Sequence, residues 1–109
     1  MNTDSPEIAP EDLARQLASS PPVVVDVRED WEVRLAPFPN ALHIPLGELP
    51  DRAATELTPT SPIVTVCHHG VRSMHALLML KGQGFTHVQS LRGGTDLWSR
   101  TVDPSLRRY

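Results

Sequence analysis

Two runs of successive apolar, mostly β-branched residues constrain what this chain can fold into. The runs read "VVVDV" at residues 23–27 and "PIVTVC" at residues 62–67. A strand that is apolar at successive positions has both faces buried, and such strands are typical of parallel sheets covered by helices. Shorter runs around Ile8, at residues 42–44 and at residues 87–91 predict three further strands.

Segments with helical spacing alternate with these strands, each with its apolar residues gathered on one side. The predicted helices cover residues 10–20, 30–36, about 47–57, 71–84 and 93–101. The residues predicted to face the core are Leu13, Ala14, Leu17, Leu49, Ala53, Leu57, Met74, Ala76, Leu77, Leu78, Leu97 and Trp98. This alternation predicts an α/β fold: one domain with a central, mostly parallel sheet and helices on both faces.

Composition and charge exclude several classes of function. The 109 residues suit one domain, and only 5% are aromatic, so stacking surfaces for nucleic acid are not expected. A formal net charge of -3 gives no broad phosphate-binding face. No apolar run has the length of a membrane span, and the polar, acidic first residues lack the layout of a signal peptide. A single cysteine fits a reducing compartment, so we expect a cytoplasmic protein with a free thiol.

That cysteine, Cys67, lies in the segment "VCHHGVRS", where a predicted strand meets a predicted helix. In parallel α/β sheets, ligands bind beyond the carboxyl ends of the strands, which is where Cys67 falls. Gly70 permits the sharp turn that the loop requires. The N–H groups of such a turn and of the following helix form a concave anion site. Together with the charge of Arg72, they are expected to stabilise a reactive Cys67 thiolate.

Three other roles for this segment stay open at this point. A lone cysteine is most often a small, buried apolar residue. Cys67 could instead ligate a metal ion with His68, His69 and His75. Adjacent histidines have difficulty sharing one tetrahedral ion, so no metal site is expected. The side chains of His68 and His69 could also be solvent-exposed, in which case their backbone amides matter more.

The segment resembles the active-site loop of single-domain rhodaneses, sulfurtransferases whose loop reads Cys-X-X-Gly-X-Arg. Here that motif is Cys67, Gly70 and Arg72, followed by Ser73. Other parts of the family's pattern occur in the family's order, and they are Asp26, Arg28, Glu32, His43, Ile44, Pro45, Gly93, Gly94 and Trp98. The resemblance implies a rhodanese-like domain with its core at about residues 8–100, a polar N-terminal extension and a short C-terminal tail. The chain departs from many relatives in the loop "APFPNA", where those relatives carry glycines and a histidine.

The resemblance also implies a reaction, the transfer of sulfane sulfur through a persulfide on Cys67. Thiosulfate or a persulfide would be the donor and a thiophilic molecule the acceptor, with no cofactor. Arg72 would bind the donor and stabilise its charge. The persulfide would be held mainly by the backbone amides of His68, His69, Gly70, Val71 and Ser73. The tail "VDPSLRRY" loosely resembles the ends of rhodanese domains fused to enzymes that adenylate sulfur carriers, so a small sulfur-carrier protein is one expected partner.

Other residues of the pattern are interpreted as structural. Asp26 and Arg28 stand at the end of a buried strand, where a charged pair is most often a hydrogen-bonding device. His43 and Trp98 are interpreted as a strand residue near the core and a packing residue.

Other functions compete with the sulfurtransferase. The chain could be a sulfur-relay or persulfide-binding protein with weak turnover of thiosulfate. A cysteine-dependent phosphatase or arsenate reductase is disfavoured, because related phosphatases have a loop one residue longer than the four residues between Cys67 and Arg72. A rhodanese-like module without activity is disfavoured because both residues are present.

Overall fold

A parallel five-stranded sheet forms the centre of the computed structural model, which describes residues 5–109. The strands are β1 (Glu7–Ile8), β2 (Val23–Asp26), β3 (Leu42–His43), β4 (Ile63–Val66) and β5 (Val88–Leu91). Their order across the sheet is β1-β5-β4-β2-β3, so β4 lies in the middle. Each neighbouring pair is parallel, as the apolar runs predict.

In this part of the chain, five α-helices alternate with the strands: α1 (Pro10–Ser19), α2 (Asp30–Leu35), α3 (Leu49–Glu56), α4 (Val71–Gly82) and α5 (Gly94–Thr101). The helix predicted over about 47–57 is divided into a 3-10 turn, Leu46–Glu48, and α3. The division falls next to Pro50, which occupies the first turn of α3. Backbone N–H groups in the first turn have no partner within the helix, so a proline, which has no N–H, is tolerated there. No helix among the described residues is long and apolar enough to cross a membrane.

The residues of β4 alternate between the two faces of the sheet. Ile63 belongs to an apolar cluster that includes side chains of α3 and α4, and Cys67, just after the strand, faces the same way. Val64 and Val66 belong to a second cluster, which includes side chains of α1 and α5. Helices therefore cover both faces, and every residue of β4 is buried, as predicted for a central parallel strand.

One predicted core position, on α4, is wrong. Leu78 is 61% exposed, whereas Leu80 is fully buried. The buried residues of α4 are Ser73, Ala76, Leu77 and Leu80, a stripe with helical spacing. Leu78 follows Leu77 by one residue, which places it about 100° around the helix from that stripe. The other predicted core residues are buried or half-buried.

The carboxyl ends of the three central strands meet at one edge of the sheet. Asp26 of β2 pairs with Val66 of β4, and Thr65 pairs with Ser90 of β5. The chain leaves β4 at this edge through Cys67. The cysteine therefore lies where ligands of parallel α/β sheets bind.

Candidate active site

Cys67 begins a tight loop at the carboxyl end of β4. The loop ends at Gly70, whose φ of 106° lies in the left-handed region that other residues avoid. Helix α4 starts directly afterwards, at Val71. The first bond from α4 back to the preceding turn runs from the N–H of Met74 to the Gly70 carbonyl at 3.2 Å. The earlier N–H groups of α4 are not used by the helix, so they are available to the cysteine.

Three groups converge on the Cys67 sulfur. The N–H groups of Gly70 and Ser73 donate to Sγ at 3.1 Å and 3.3 Å. The thiol itself donates to Oγ of Ser73 at 3.4 Å, and Cys67 is fully buried. A cysteine that only fills space needs no such donors. N–H dipoles aimed at sulfur favour a negative charge there, so the arrangement fits a thiolate or a persulfide.

The buried hydroxyl groups of Ser73 and Ser90 continue the hydrogen-bond chain that begins at the Cys67 sulfur. Oγ of Ser73 lies 2.7 Å from Oγ of Ser90, and both residues are fully buried. The Thr65 hydroxyl donates to the Ser73 carbonyl at 2.8 Å, which holds the first turn of α4 on the sheet. Ser90 was not among the residues predicted for the site. Its signal in the sequence was slight, a polar residue within the apolar run of β5.

The amino end of α5 holds the loop from another side. The Thr95 N–H donates to the Cys67 carbonyl at 2.9 Å, and the Asp96 N–H donates to the His68 carbonyl at 3.1 Å. A β-carbon at Gly94 would overlap both carbonyls, and Gly94 has a φ of 60°. Only glycine therefore allows this close approach. Because α5 binds the loop carbonyls, the loop N–H groups are left to face the sulfur.

The Arg72 side chain forms an ion pair with Glu32 of α2. Nη1 and Nη2 of Arg72 donate to the two carboxylate oxygens at 2.5 Å and 2.9 Å. Glu32 is buried, and its hydrogen bonds with Arg72 lower its pKa to about 2. One third of the Arg72 side chain, 33%, stays exposed. Glu32 thus balances the positive charge that Arg72 was expected to bring to the loop. The family's motif pattern includes Glu32, but nothing in the sequence near it indicated a contact with Arg72.

Asp26 and Arg28 form a buried ion pair at the end of β2. Nη2 of Arg28 donates to Oδ2 of Asp26 and to the Ala36 carbonyl, both at 2.7 Å. Nε2 of His43 lies 2.7 Å from the Arg28 carbonyl. A buried charge needs such partners, and these connect β2, β3 and the turn after α2. The contacts fit the structural role expected for the pair.

The two loop histidines make ring contacts. The His68 ring stacks on the Tyr109 ring with centroids 3.9 Å apart, and it meets the His69 ring edge-on at 3.9 Å. Burial, and then the neighbouring His69, lower the pKa of His68, so its imidazole is neutral near pH 7. His69 and the side chain of Val71 are exposed. In the part of the chain that the structure describes, no group of three His, Cys, Asp or Glu side chains is arranged to hold a metal ion.

Comparisons with known proteins identify the family. Residues 9–101 match the family described as "Rhodanese-like domain". The chain is 40% identical over 99 residues to the thiosulfate sulfurtransferase GlpE of Pseudomonas paraeruginosa, which covers 90% of this chain and 86% of that protein. It is 38% identical over 95 residues to a Bacillus subtilis protein named "Putative sulfur carrier protein YrkF", covering 86% of this chain and 51% of that protein.

The fold has solved counterparts as well. A rhodanese-like domain protein from Staphylococcus aureus superposes on this chain with a TM-score of 0.80 at 30% sequence identity. The match covers 96% of this chain and 99% of the other. The order of motifs around Cys67, the parallel sheet and these similarities agree. The chain belongs to the rhodanese-like family.

Proposed function

We propose that this protein is a sulfurtransferase that carries sulfane sulfur as a persulfide on Cys67. The observation that supports this best is the pair of N–H groups, from Gly70 and Ser73, that donate to Sγ at 3.1 Å and 3.3 Å. Such donors stabilise the thiolate, which is the attacking form of cysteine, and would equally stabilise an anionic persulfide. Relatives named thiosulfate sulfurtransferase support thiosulfate as a donor.

The first step forms the persulfide. The Cys67 thiolate attacks the outer sulfur of thiosulfate, and a bond forms between Sγ and that sulfur. The sulfur–sulfur bond of thiosulfate breaks, and its electron pair leaves with sulfite. The products are a Cys67 persulfide anion and sulfite, so atoms and charge balance without a cofactor.

The second step returns the cysteine to its starting form. A thiophilic acceptor attacks the outer sulfur, and Cys67 leaves as the thiolate. Cyanide becomes thiocyanate, and a thiol becomes a persulfide. Because reducing surroundings keep a free cysteine such as Cys67 in the thiol form, we place the protein in the cytoplasm.

The remaining loop groups complete the proposed site. Arg72 is held by Glu32 and one third exposed, so we assign it to fixing the loop and to meeting the donor's oxygens at its open edge. We assign the backbone amides of His68, His69 and Val71, which neighbour the two N–H groups that bind Sγ, to holding the outer sulfur of the persulfide. We assign Asp26 and Arg28 to support of the strand ends, from their mutual burial.

Steady-state kinetics test this proposal. Thiosulfate and cyanide should give ping-pong kinetics, with thiocyanate and sulfite in equal amounts, because the persulfide forms before the acceptor binds. Cys67→Ser should abolish the reaction, whereas His75→Ala, an exposed position on α4, should retain it. Hydrolysis of p-nitrophenyl phosphate that depends on Cys67, without thiocyanate formation, would instead establish the phosphatase alternative.

A sulfur-relay role is the second candidate, and one surface feature favours it. Trp31 and Val71 are 61% and 67% exposed, and they precede the paired residues Glu32 and Arg72 in sequence. Aromatic side chains such as that of Trp31 are enriched at protein–protein interfaces. A relative named "Putative sulfur carrier protein YrkF" makes a sulfur-carrier protein the acceptor to consider. A stoichiometric burst of persulfide that cyanide removes slowly would favour the relay, and rapid turnover would favour the enzyme.

A further inference from the structure

The segment after α5 returns to the cysteine loop and is anchored there. Leu106 is buried in the apolar cluster that includes α1 and α5, and its carbonyl accepts the Ser99 hydroxyl at 2.6 Å. Nε of Arg108 donates to Oδ1 of Asp96 at 3.0 Å. Asp96 is also the residue whose N–H donates to the His68 carbonyl. The end of this segment is therefore fixed next to the loop.

The Tyr109 hydroxyl joins two ion pairs. It donates to Oε2 of Glu32 at 2.8 Å and accepts from Nη1 of Arg28 at 3.0 Å. Burial raises the pKa of Tyr109, so the hydroxyl retains the proton that it donates. Both carboxylate oxygens of Glu32 accept from Arg72, so Glu32 links the Tyr109 hydroxyl to the second residue of α4.

The Tyr109 ring covers a face of His68. The two rings are nearly parallel, at 9°, with centroids 3.9 Å apart. Trp31 meets the tyrosine ring edge-on at 5.9 Å, which restricts it further. Nε2 of His68 is buried and has no hydrogen-bond partner among the described residues. The imidazole is therefore held by the stacked Tyr109 ring, by the His69 ring and by a hydrogen bond with the Tyr109 backbone.

We propose that Tyr109 is a positioning residue of the sulfur-transfer site, an inference that rests on the proposed function. Its ring fixes His68, the residue next to Cys67, and its hydroxyl fixes the carboxylate that holds Arg72. One side chain therefore restrains both ends of the loop whose N–H groups surround the sulfur. Loss of Tyr109 should loosen the loop and weaken donor capture.

Two variants separate these contacts. Tyr109→Phe keeps the stacked ring and loses the hydroxyl, and Tyr109→Leu loses both. We expect kcat/KM for thiosulfate to fall about threefold in Tyr109→Phe and about tenfold in Tyr109→Leu. These losses correspond to the free energy of about one to two hydrogen bonds. Arg107→Ala, an exposed change in the same segment, should leave kcat/KM unchanged.

The titration of His68, followed by NMR, is a second readout, which reports directly on the stacked contact between the two rings. The titratable groups that influence this ring are His69, Asp96 and Glu32, and the Tyr109 backbone adds a hydrogen bond. Burial is the main cause of the lowered pKa of His68, so Tyr109→Leu should raise that pKa toward 6.5, whereas Tyr109→Phe should leave it unchanged.

Unchanged kinetics and an unchanged His68 titration in Tyr109→Leu would overturn the inference. A lower melting temperature with unchanged rates would also overturn it, since Tyr109 would then serve the fold alone. A wild-type protein that forms no persulfide would instead refute the proposed function, and the His68 titration would be unaffected by that failure.

Discussion

Arg72 and Glu32 form a two-bond ion pair, at 2.5 Å and 2.9 Å, that joins the cysteine loop to α2 across 40 positions of sequence. The planar guanidinium matches a carboxylate in this geometry, which makes the pair directional as well as attractive. The Tyr109 hydroxyl adds a third bond to the same carboxylate at 2.8 Å. The start of α4 is therefore held by side chains as well as by its backbone.

The ionisation of Glu32 should make stability depend on pH. Its pKa is about 2 in the folded protein, against an ordinary value of 4.5. The ionised Glu32 carboxylate contributes about 3 kcal/mol to the free energy of unfolding. This contribution is fully present above about pH 5 and is lost as the pH falls through the pKa of the folded protein. We expect the difference in free energy of unfolding between wild type and Glu32→Gln to shrink by about 2 kcal/mol from about pH 6 to about pH 3. Urea unfolding at a series of pH values measures it.

The matched control is Asp30→Asn, which changes an exposed acid on the same helix. Its difference from wild type should stay nearly constant over this pH range, because an exposed pair contributes little. A difference for Glu32→Gln that is equally constant would show that Arg72 does not hold the carboxylate in solution.

Gly94→Ala should disrupt the contact between α5 and the cysteine loop. The added β-carbon would overlap the carbonyls of Cys67 and His68, and the backbone is already at a positive φ. We expect the free energy of unfolding to fall by about 3 kcal/mol and persulfide formation to slow with it. Gly82→Ala, which meets open space near the end of α4, should be neutral or slightly stabilising. Equal stability of the two variants would contradict the close approach of α5.

The Ser73 and Ser90 hydroxyls should contribute unequally to persulfide formation. Ser73→Ala removes the hydroxyl that contacts Sγ, so we expect the rate with thiosulfate to fall about tenfold. Ser90→Ala leaves that hydroxyl in place without its 2.7 Å partner, so a fall of about threefold is expected. The double variant should resemble Ser73→Ala, because Ser90 acts through Ser73. Stopped-flow measurement of sulfite release provides the rates.

Ser19→Ala, a change of an exposed serine on α1, is the control and should leave the rate unchanged. Fully additive effects of Ser73→Ala and Ser90→Ala would show that the two hydroxyls do not act as a chain.

Local sequence patterns predicted the strands and helices well wherever the pattern allowed only one interpretation. Continuous β-branched runs gave the positions of β2 and β4, and Cys67 followed directly from the end of β4. The buried side of α4 was less certain, because residues 76–80 are apolar at every position. Spacing cannot select a stripe in such a run, so Leu78 was wrongly placed in the core while Leu80 was not selected.

The partners around the loop could not be derived from local patterns. Glu32 meets Arg72 across 40 positions and Tyr109 across 77 positions. These contacts arise because β2 and β5 both lie next to β4, which brings α2 and the segment after α5 to one edge. Ser90 reaches Ser73 for the same reason. Resemblance to a family can indicate that such a residue matters, but only the folded chain shows what it touches.

Mass spectrometry of the intact protein, after a short incubation with thiosulfate, tests the central claim most directly. We expect the wild-type protein to gain the mass of one sulfur atom on Cys67, to lose it when cyanide is added, and to return to its original mass. Cys67→Ser should show no gain. An unmodified wild-type protein, or a gain of equal size in Cys67→Ser, would contradict a persulfide held by this loop.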